Sequence, residues 1–411
     1  MSGNSSSGPE NARPVVLTIL VAALGYFVDI YDLILFSIVR GKSLLGLGVG
    51  ADQVLDTGVL LLNMQMIGML LGGLLWGILG DKRGRLSVLF GSIFLYSVAN
   101  VANGLVTSVP QYAVTRFVAG VGLAGELGAG ITLVSEVMSR EARGYGTTVV
   151  ASVGILGAVV AALVGDRFSW QVAYFVGGAL GLGLLLLRVG LMESGMFEET
   201  RQCEIERGNF FMLFRSAARA RRYLAVVFVA VPIWYVIGIL VTFSPEIARA
   251  LGTAPLPRAG RAVMVTYIGL SVGDFASGGL SQVLRSRKRV VGIFMALTVA
   301  AVAAYFLVGG ASLTAFYACC FGLGLGAGYW AVFVTVASEQ FGTNIRATAT
   351  TTAPNFVRGG VVPLTLSFQA LKGPLGVTGS AIAVGLVTLA LALVSLSALE
   401  ETFGKDLDFV E

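Results

Sequence analysis

The chain has 411 residues, 56% of them hydrophobic and 12% charged, with a formal net charge of +5 and no histidine. Soluble domains carry about 25% charged residues, so this balance excludes a soluble protein of two or three domains, which length alone would suggest. Cys203 in a polar stretch and the adjacent Cys319 and Cys320 in an apolar one give no disulfide framework. Residues 2–8 are a Ser/Gly-rich polar tail, and the apolar run after Pro14 is too long for a cleaved leader's core. The first helix is therefore expected to remain as an uncleaved anchor. Helical spans are predicted near 14–39, 57–79, 86–106, 110–138, 144–165 and 169–191, then near 222–244, 260–283, 290–309, 312–338, 346–370 and 378–399. Each is about 20 residues or longer, the length a helix needs to cross a ~30 Å hydrocarbon core.

The expected architecture is an all-α polytopic membrane protein of twelve transmembrane helices. Residues 1–191 form an N-terminal six-helix bundle, 192–221 a linker and 222–411 a C-terminal six-helix bundle. The linker runs acidic first and basic later, and Phe210 to Tyr223 mixes Phe, Leu and Arg as an interfacial amphipathic helix would. Basic residues set the topology. Arg40, Lys42, Arg167, Arg249, Arg258, Arg261 and Lys372 fall on one side, and Arg116 and Arg358 lie within spans. The remaining 19 of the 28 Lys and Arg fall on the other side. The positive-inside bias places both termini in the cytoplasm.

The halves repeat. Gly77…Arg83-Gly84-Arg85 aligns with Gly279…Arg285-Ser286-Arg287 at an offset of 202 residues, and Glu136…Arg143 with Glu339…Arg346 at 203. Parallel six-helix repeats place a substrate site between the halves near the midplane. Gly120-Val-Gly122-Leu-Ala-Gly125 matches a dinucleotide-binding fingerprint in letters. That fingerprint needs a preceding strand, and here the glycines lie inside a span, where small residues let helices approach closely. No cofactor and no metal is expected, and with no histidine and no nucleophile–base pair an enzyme is not expected either.

Ionisable residues within a bilayer are costly and mark function by default. They are Asp29, Asp32, Arg116, Glu126, Asp274 and Arg358. With histidine absent, a carried proton must sit on a carboxyl group. At ~1.5 Å per residue, Asp32 and Arg116 lie at similar depth, so they are expected to pair; Asp29 is one turn deeper on the same face. A pair that opens on protonation couples a proton to conformation, whereas a permanent bridge merely joins the first and fourth spans. Glu126 is a second proton site. Arg358, shortly after Pro354 and Asn355, suits either an anionic substrate group or a buried acid such as Asp274. Uncharged cavity candidates are Tyr26, Tyr31, Asn63, Gln65, Trp234, Tyr235, Tyr329, Trp330 and Asn355.

The basic turn Gly80-Asp81-Lys82-Arg83-Gly84-Arg85 between two long apolar stretches resembles the loop between the second and third helices of major facilitator superfamily transporters. Asp29-Ile-Tyr31-Asp32, Arg116…Gly120…Gly122…Gly125-Glu126, Glu136…Arg143-Gly144 and Glu339…Arg346-Ala347 resemble its metabolite:proton symporter and sugar-porter branch. The resemblance implies a cytoplasmic gating network of Asp81, Arg85, Glu136 and Arg143, with counterparts Arg287, Glu339 and Arg346. It also implies a proton-coupling pair made by the first-span acid and the fourth-span arginine. Val283 in place of an aspartate, and no proline after Glu193-Ser194, set the chain apart from sugar porters. The expected function is proton-coupled symport of a small organic anion or polar metabolite by alternating access. The expected partners are that substrate, protons and the lipid bilayer of a bacterial inner membrane, with no nucleic acid and a monomeric state. The alternatives are a sugar or polyol carrier, and a non-transporting membrane sensor.

Overall fold

A computed structural model describes residues 9–83, 85–126, 143–193 and 210–405. Every regular element among them is helical, as the bilayer requires: no water is present there to satisfy an open backbone, so each segment must close its own hydrogen bonds. The first three spans are Pro9–Gly46, Val54–Arg83 and Arg85–Asn103, and the fourth begins as Val109–Leu123. The fifth is Arg143–Ile155 continued by Gly157–Arg167, and the sixth is Trp170–Glu193. In the second half, Ala217–Tyr235 runs into a π turn, Val236–Val241, followed by a short helix, Ser244–Ala250. Ala259–Val283 and Arg287–Val308 are the eighth and ninth spans. The tenth is broken into Leu313–Ala327 and Trp330–Glu339, and the eleventh opens as Thr343–Gly359.

Nine helices among the described residues meet the length and hydropathy of a membrane span. Val88–Asn103 is a shorter apolar helix, and Val109–Leu123 is the described part of the fourth span. Val361–Ala398 holds two spans, because Gly376 (φ 67°, ψ 179°) turns the chain between them. That backbone region is open essentially to glycine alone, so the turn is written into the sequence. Among the described residues the spans, whole or in part, number twelve.

Glycine seams lock the spans together in pairs. A Cβ on Gly68 or Gly72 of the second span would strike the backbone of the fourth at Phe117 or Val121, and one on Gly120 would strike Gln65 in return. In the other half, Gly269 and Gly273 of the eighth span face Phe321 and Leu325 of the tenth, and Gly324 faces Thr266. Gly122 against Tyr96 likewise matches Gly326 against Thr298. Direct backbone contact of this kind is how helices associate where lipid offers no hydrophobic gradient. The fingerprint-like glycines are therefore packing residues.

The halves meet along two equivalent seams, the second span against the eleventh and the fifth against the eighth. At the end away from the termini they are also tied by side chains. Arg40 donates to Glu246 Oε1 (2.7 Å) and to the Thr242 carbonyl (3.3 Å). Ser37 and Thr242 share a hydroxyl hydrogen bond (3.0 Å), and Lys372 pairs with Asp56.

The linker differs from the expected continuous amphipathic helix. Phe210–Phe214 is a 3-10 turn, and a new helix starts at Ala217 after Ser216 in extended backbone. Phe210 stacks on Phe356 and Leu213 is buried, so this segment packs onto the eleventh span.

Candidate functional site

Near the middle of the bundle, Arg358 of the eleventh span reaches across to Asp29 of the first, Nη2 to Oδ2 at 3.4 Å. Both side chains are 0% exposed. The guanidinium carbon sits 5.8 Å from the ring centroids of both Trp234 and Trp330, so two indoles from the seventh and tenth spans flank it. Tyr26, one turn before Asp29 on the same helix face, is buried against Gly154 of the fifth span. Hydrogen-bonding capacity here is only partly used. Among the described residues, Arg358 Nε and Nη1, Asp29 Oδ1 and Trp330 Nε1 are buried without partners, a costly state in low dielectric.

The break in the tenth span places Trp330 there. Gly328 touches the Gly273 backbone, and Trp330 opens the second half-helix. Asp274 accepts the Ala331 N–H with Oδ1 at 3.1 Å, completing that half-helix start where a negative charge is favoured. Asp274 is thus the cap of the broken span, and the counterion of Arg358 is Asp29.

The expected Asp32–Arg116 pair is not formed. Arg116 donates to Gln65 Oε1 and lies over the Phe36 ring at 4.8 Å. Asp32 has no hydrogen-bond partner on either oxygen among the described residues; it packs against Gly177 of the sixth span and is faced by Asn100 of the third. Equal depth did not suffice, because the two side chains leave their helices toward different neighbours. Glu126 is held by Arg188, Nη2 to Oε1 at 2.5 Å and Nη1 to Oε2 at 3.1 Å. The pair fills the space left by Gly25, one turn from Asp29. Arg188, three residues inside the predicted end of the sixth span, and Arg40, just past the predicted end of the first, are 7% and 3% exposed. Their only sequence signal is a position within a turn or two of a span's end.

Several aromatic and amide candidates carry structural bonds instead. Tyr31 donates to the Ala173 carbonyl (2.9 Å), Tyr235 to that of Ala381 (2.8 Å) and Tyr329 to that of Val229 (3.0 Å). Asn63 accepts from Thr365 (2.6 Å), and Asn355 donates to the Ala124 carbonyl (2.9 Å), both between the halves. Of the expected substrate contacts, Tyr26, Trp234, Trp330 and Arg358 come together around Asp29; Gln65 stands with Arg116, and Tyr31, Tyr235, Tyr329 and Asn355 stand apart.

At the terminal end, Arg287 pairs with Glu339 at 3.5 Å and donates to Ser281 Oγ at 2.6 Å. Arg346 donates to the Ser338 (3.1 Å) and Phe341 (3.2 Å) carbonyls. Thr402 bonds Glu339 at 2.7 Å, and Glu401 receives Ser286 Oγ and the Arg287 N–H. Partial burial pushes the Glu401 carboxyl up. Hydrogen bonds from Ser286 Oγ and the N–H groups of Phe403, Arg287 and Lys288 outweigh this and hold it below the usual range. The matching N-terminal set falls outside the described residues: Glu136 entirely, and the side chains of Asp81, Arg85 and Arg143.

The family model described as Major Facilitator Superfamily matches residues 16–364. The 3-(3-hydroxy-phenyl)propionate transporter of Escherichia coli is 26% identical, over 88% of this chain and 88% of its own length. The niacin transporter NiaP of Acinetobacter baylyi is 27% identical, over 85% and 87%. The 4-hydroxybenzoate transporter PcaK of Pseudomonas putida is 29% identical over a shorter stretch, 41% of this chain and 42% of its own.

Proposed function

Because this chain belongs to the Major Facilitator Superfamily, whose members named above are transporters rather than enzymes, we propose that it is a proton-coupled symporter of a small aromatic carboxylate. The observation that carries this reading is the buried Asp29–Arg358 bond between Trp234 and Trp330. A guanidinium presents donors in a fork that matches a carboxylate, and two indole faces suit a flat ring. The names of the relatives, which cover niacin and hydroxylated aromatic acids, support the same substrate class.

The coupling follows from competition for one cation. With Asp29 ionised, its carboxylate occupies Arg358; a proton on Asp29 neutralises it, and Arg358 then takes the substrate carboxylate. Asp29 and Arg358 belong to opposite halves, so exchanging one anion for another changes what holds the halves together. Asp32, buried and unpartnered one turn away, is the second carboxyl on the proton's route. Glu126, neutralised by Arg188, is a structural member of the site, and Arg116 holds Gln65. Residues 1–191 and 222–411 rock as two bundles, with Arg287, Glu339 and Arg346 in the latch at the terminal end. The excess of Lys and Arg on the terminal side supports cytoplasmic termini in a bacterial inner membrane.

The test is uptake of labelled benzoate, 4-hydroxybenzoate and nicotinate into proteoliposomes, with and without an inward proton gradient. Gradient-driven accumulation of at least one acid is expected. Uptake that ignores the gradient, or normal transport by both Asp29→Asn and Arg358→Gln, defeats the proposal.

A further inference from the structure

A concave site without any of the residues around Asp29 lies at the end of the bundle opposite the termini. A cavity of about 640 Å³ opens where the fifth span of one half meets the eighth of the other, within the size range of small-molecule sites. Three arginines line it: Arg167 in the last turn of the fifth span, Arg258 at the N-cap of the eighth, and Arg261 in its first turn. Tyr317 lies between them, its hydroxyl accepting the Arg258 backbone N–H at 3.0 Å and its ring lying 5.7 Å from the Arg261 guanidinium. Among the described residues none of the three has a carboxylate within salt-bridge distance. Asp166, the one acid in the lining, lies instead against Gly260 at the start of the eighth span, where a helix N-terminus favours negative charge.

The apolar part of the lining is placed just as selectively. Leu163 is one turn deeper than Arg167, and Met264 is one turn deeper than Arg261; Leu256 adds apolar lining from the loop before the eighth span. Guanidinium groups thus ring the cavity at the depth where span ends meet the headgroup layer, and hydrocarbon lines it one turn, about 5 Å, further in. A free inorganic anion fits the rim but leaves the apolar wall unused; a neutral lipid fits the wall but leaves three cations unmatched.

We propose that this cavity binds the oxyanion head of an amphiphile, namely the phosphate of an anionic phospholipid, with its glycerol and first acyl carbons against Leu163, Leu256 and Met264. Arg167 comes from one half and Arg258 and Arg261 from the other, so the occupant bridges the seam and stabilises the arrangement in which these ends are together.

The experiment uses the full-length protein in nanodiscs of equal phosphatidylglycerol and phosphatidylcholine, with retained lipid counted by native mass spectrometry. Thermal midpoints are compared in nanodiscs of each lipid alone. Wild type is expected to retain phosphatidylglycerol preferentially and to melt higher in its presence. Arg258→Gln with Arg261→Gln is expected to lose roughly fivefold retention per arginine, about 25-fold in all. Its midpoint in phosphatidylcholine alone is expected to match wild type. Should the double variant fail to fold, Arg167→Gln on the other half reads out the same preference, about fivefold weaker than wild type. In phosphatidylcholine alone, inorganic phosphate and benzoate are titrated; a benzoate response lost in the arginine variants keeps the amphiphile oxyanion site but assigns it to the transported acid. Equal retention of both lipids by wild type with no benzoate response, or an unchanged lipid preference in the arginine variants, overturns the proposal.

Discussion

Replacing Asp29 with asparagine keeps the side chain's size and removes its charge, leaving Arg358 free of its anionic partner. At 3.4 Å and an effective dielectric of ~20, the Coulomb attraction is about 5 kcal/mol, an upper figure because both groups give up hydration. The net value of a hydrogen bond to a charged group is about 1.5–3 kcal/mol. A carboxylate ligand that must displace Asp29 loses that amount, and Asp29→Asn returns it. At neutral pH the variant is expected to bind benzoate or its hydroxylated or heteroaromatic analogues about 10- to 100-fold more tightly than wild type. Its affinity also becomes nearly independent of pH, while accumulation driven by a proton gradient disappears and exchange of substrate for substrate survives. Isothermal titration calorimetry at pH 6 and pH 8 measures the first two, and proteoliposome counterflow the third. If the Asp29→Asn variant binds no tighter than wild type and its affinity stays as steeply pH-dependent, competition for Arg358 is wrong.

Other consequences follow from the same geometry. Glu126→Gln leaves Arg188 buried beside a neutral partner and is expected to cost about 3–5 kcal/mol, read as a lowered melting midpoint, with Glu126→Gln plus Arg188→Met recovering most of it. Arg40→Gln removes the tie to Glu246 and Thr242; a cysteine placed at Ser37 should then label with a membrane-impermeant maleimide several-fold faster, and an unchanged rate refutes the latch. Glu401 is held below its ordinary range, so its contribution to stability is complete above the unfolded value of ~4.3 and is lost as pH falls through the lowered folded value. Wild type should therefore melt above Glu401→Gln at pH 7, with the gap closing below about pH 4. Gly324→Leu drives a side chain into the Thr266 backbone and should abolish folded expression, whereas Gly279→Leu, which meets nothing within 4 Å, should not.

Much of the fold was legible because hydropathy, basic-residue bias and a repeat near 202 residues are one-dimensional signals. The bilayer turns them into spans, sides and halves. The site was legible only in its parts. Depth along a helix can be counted, so Asp29, Arg116 and Arg358 were recognisable as deep charges. The direction in which each side chain leaves its helix depends on how that helix is rotated against its neighbours. Arg116 therefore turns to Gln65 instead of Asp32, and Arg358 finds Asp29 from the other half of the chain. Arg188 and Arg40 are read as charges at the two faces of the membrane because a long side chain near a span's end has two choices. Here a buried acid, Glu126, and a cross-half acid, Glu246, draw them inward.

The glycine seams carry a mechanical consequence. Where Gly68, Gly72 and Gly120 bring two backbones into contact, and Gly269, Gly273 and Gly324 repeat the contact, no side chain is left to change rotamer and absorb a displacement. The second and fourth spans must translate as one stiff plate, and so must the eighth and tenth. Compliance is then left to the seams where the halves meet, the second span against the eleventh and the fifth against the eighth. The lipid proposed for the fifth–eighth seam would act there as a wedge does, by geometry alone and without meeting the substrate.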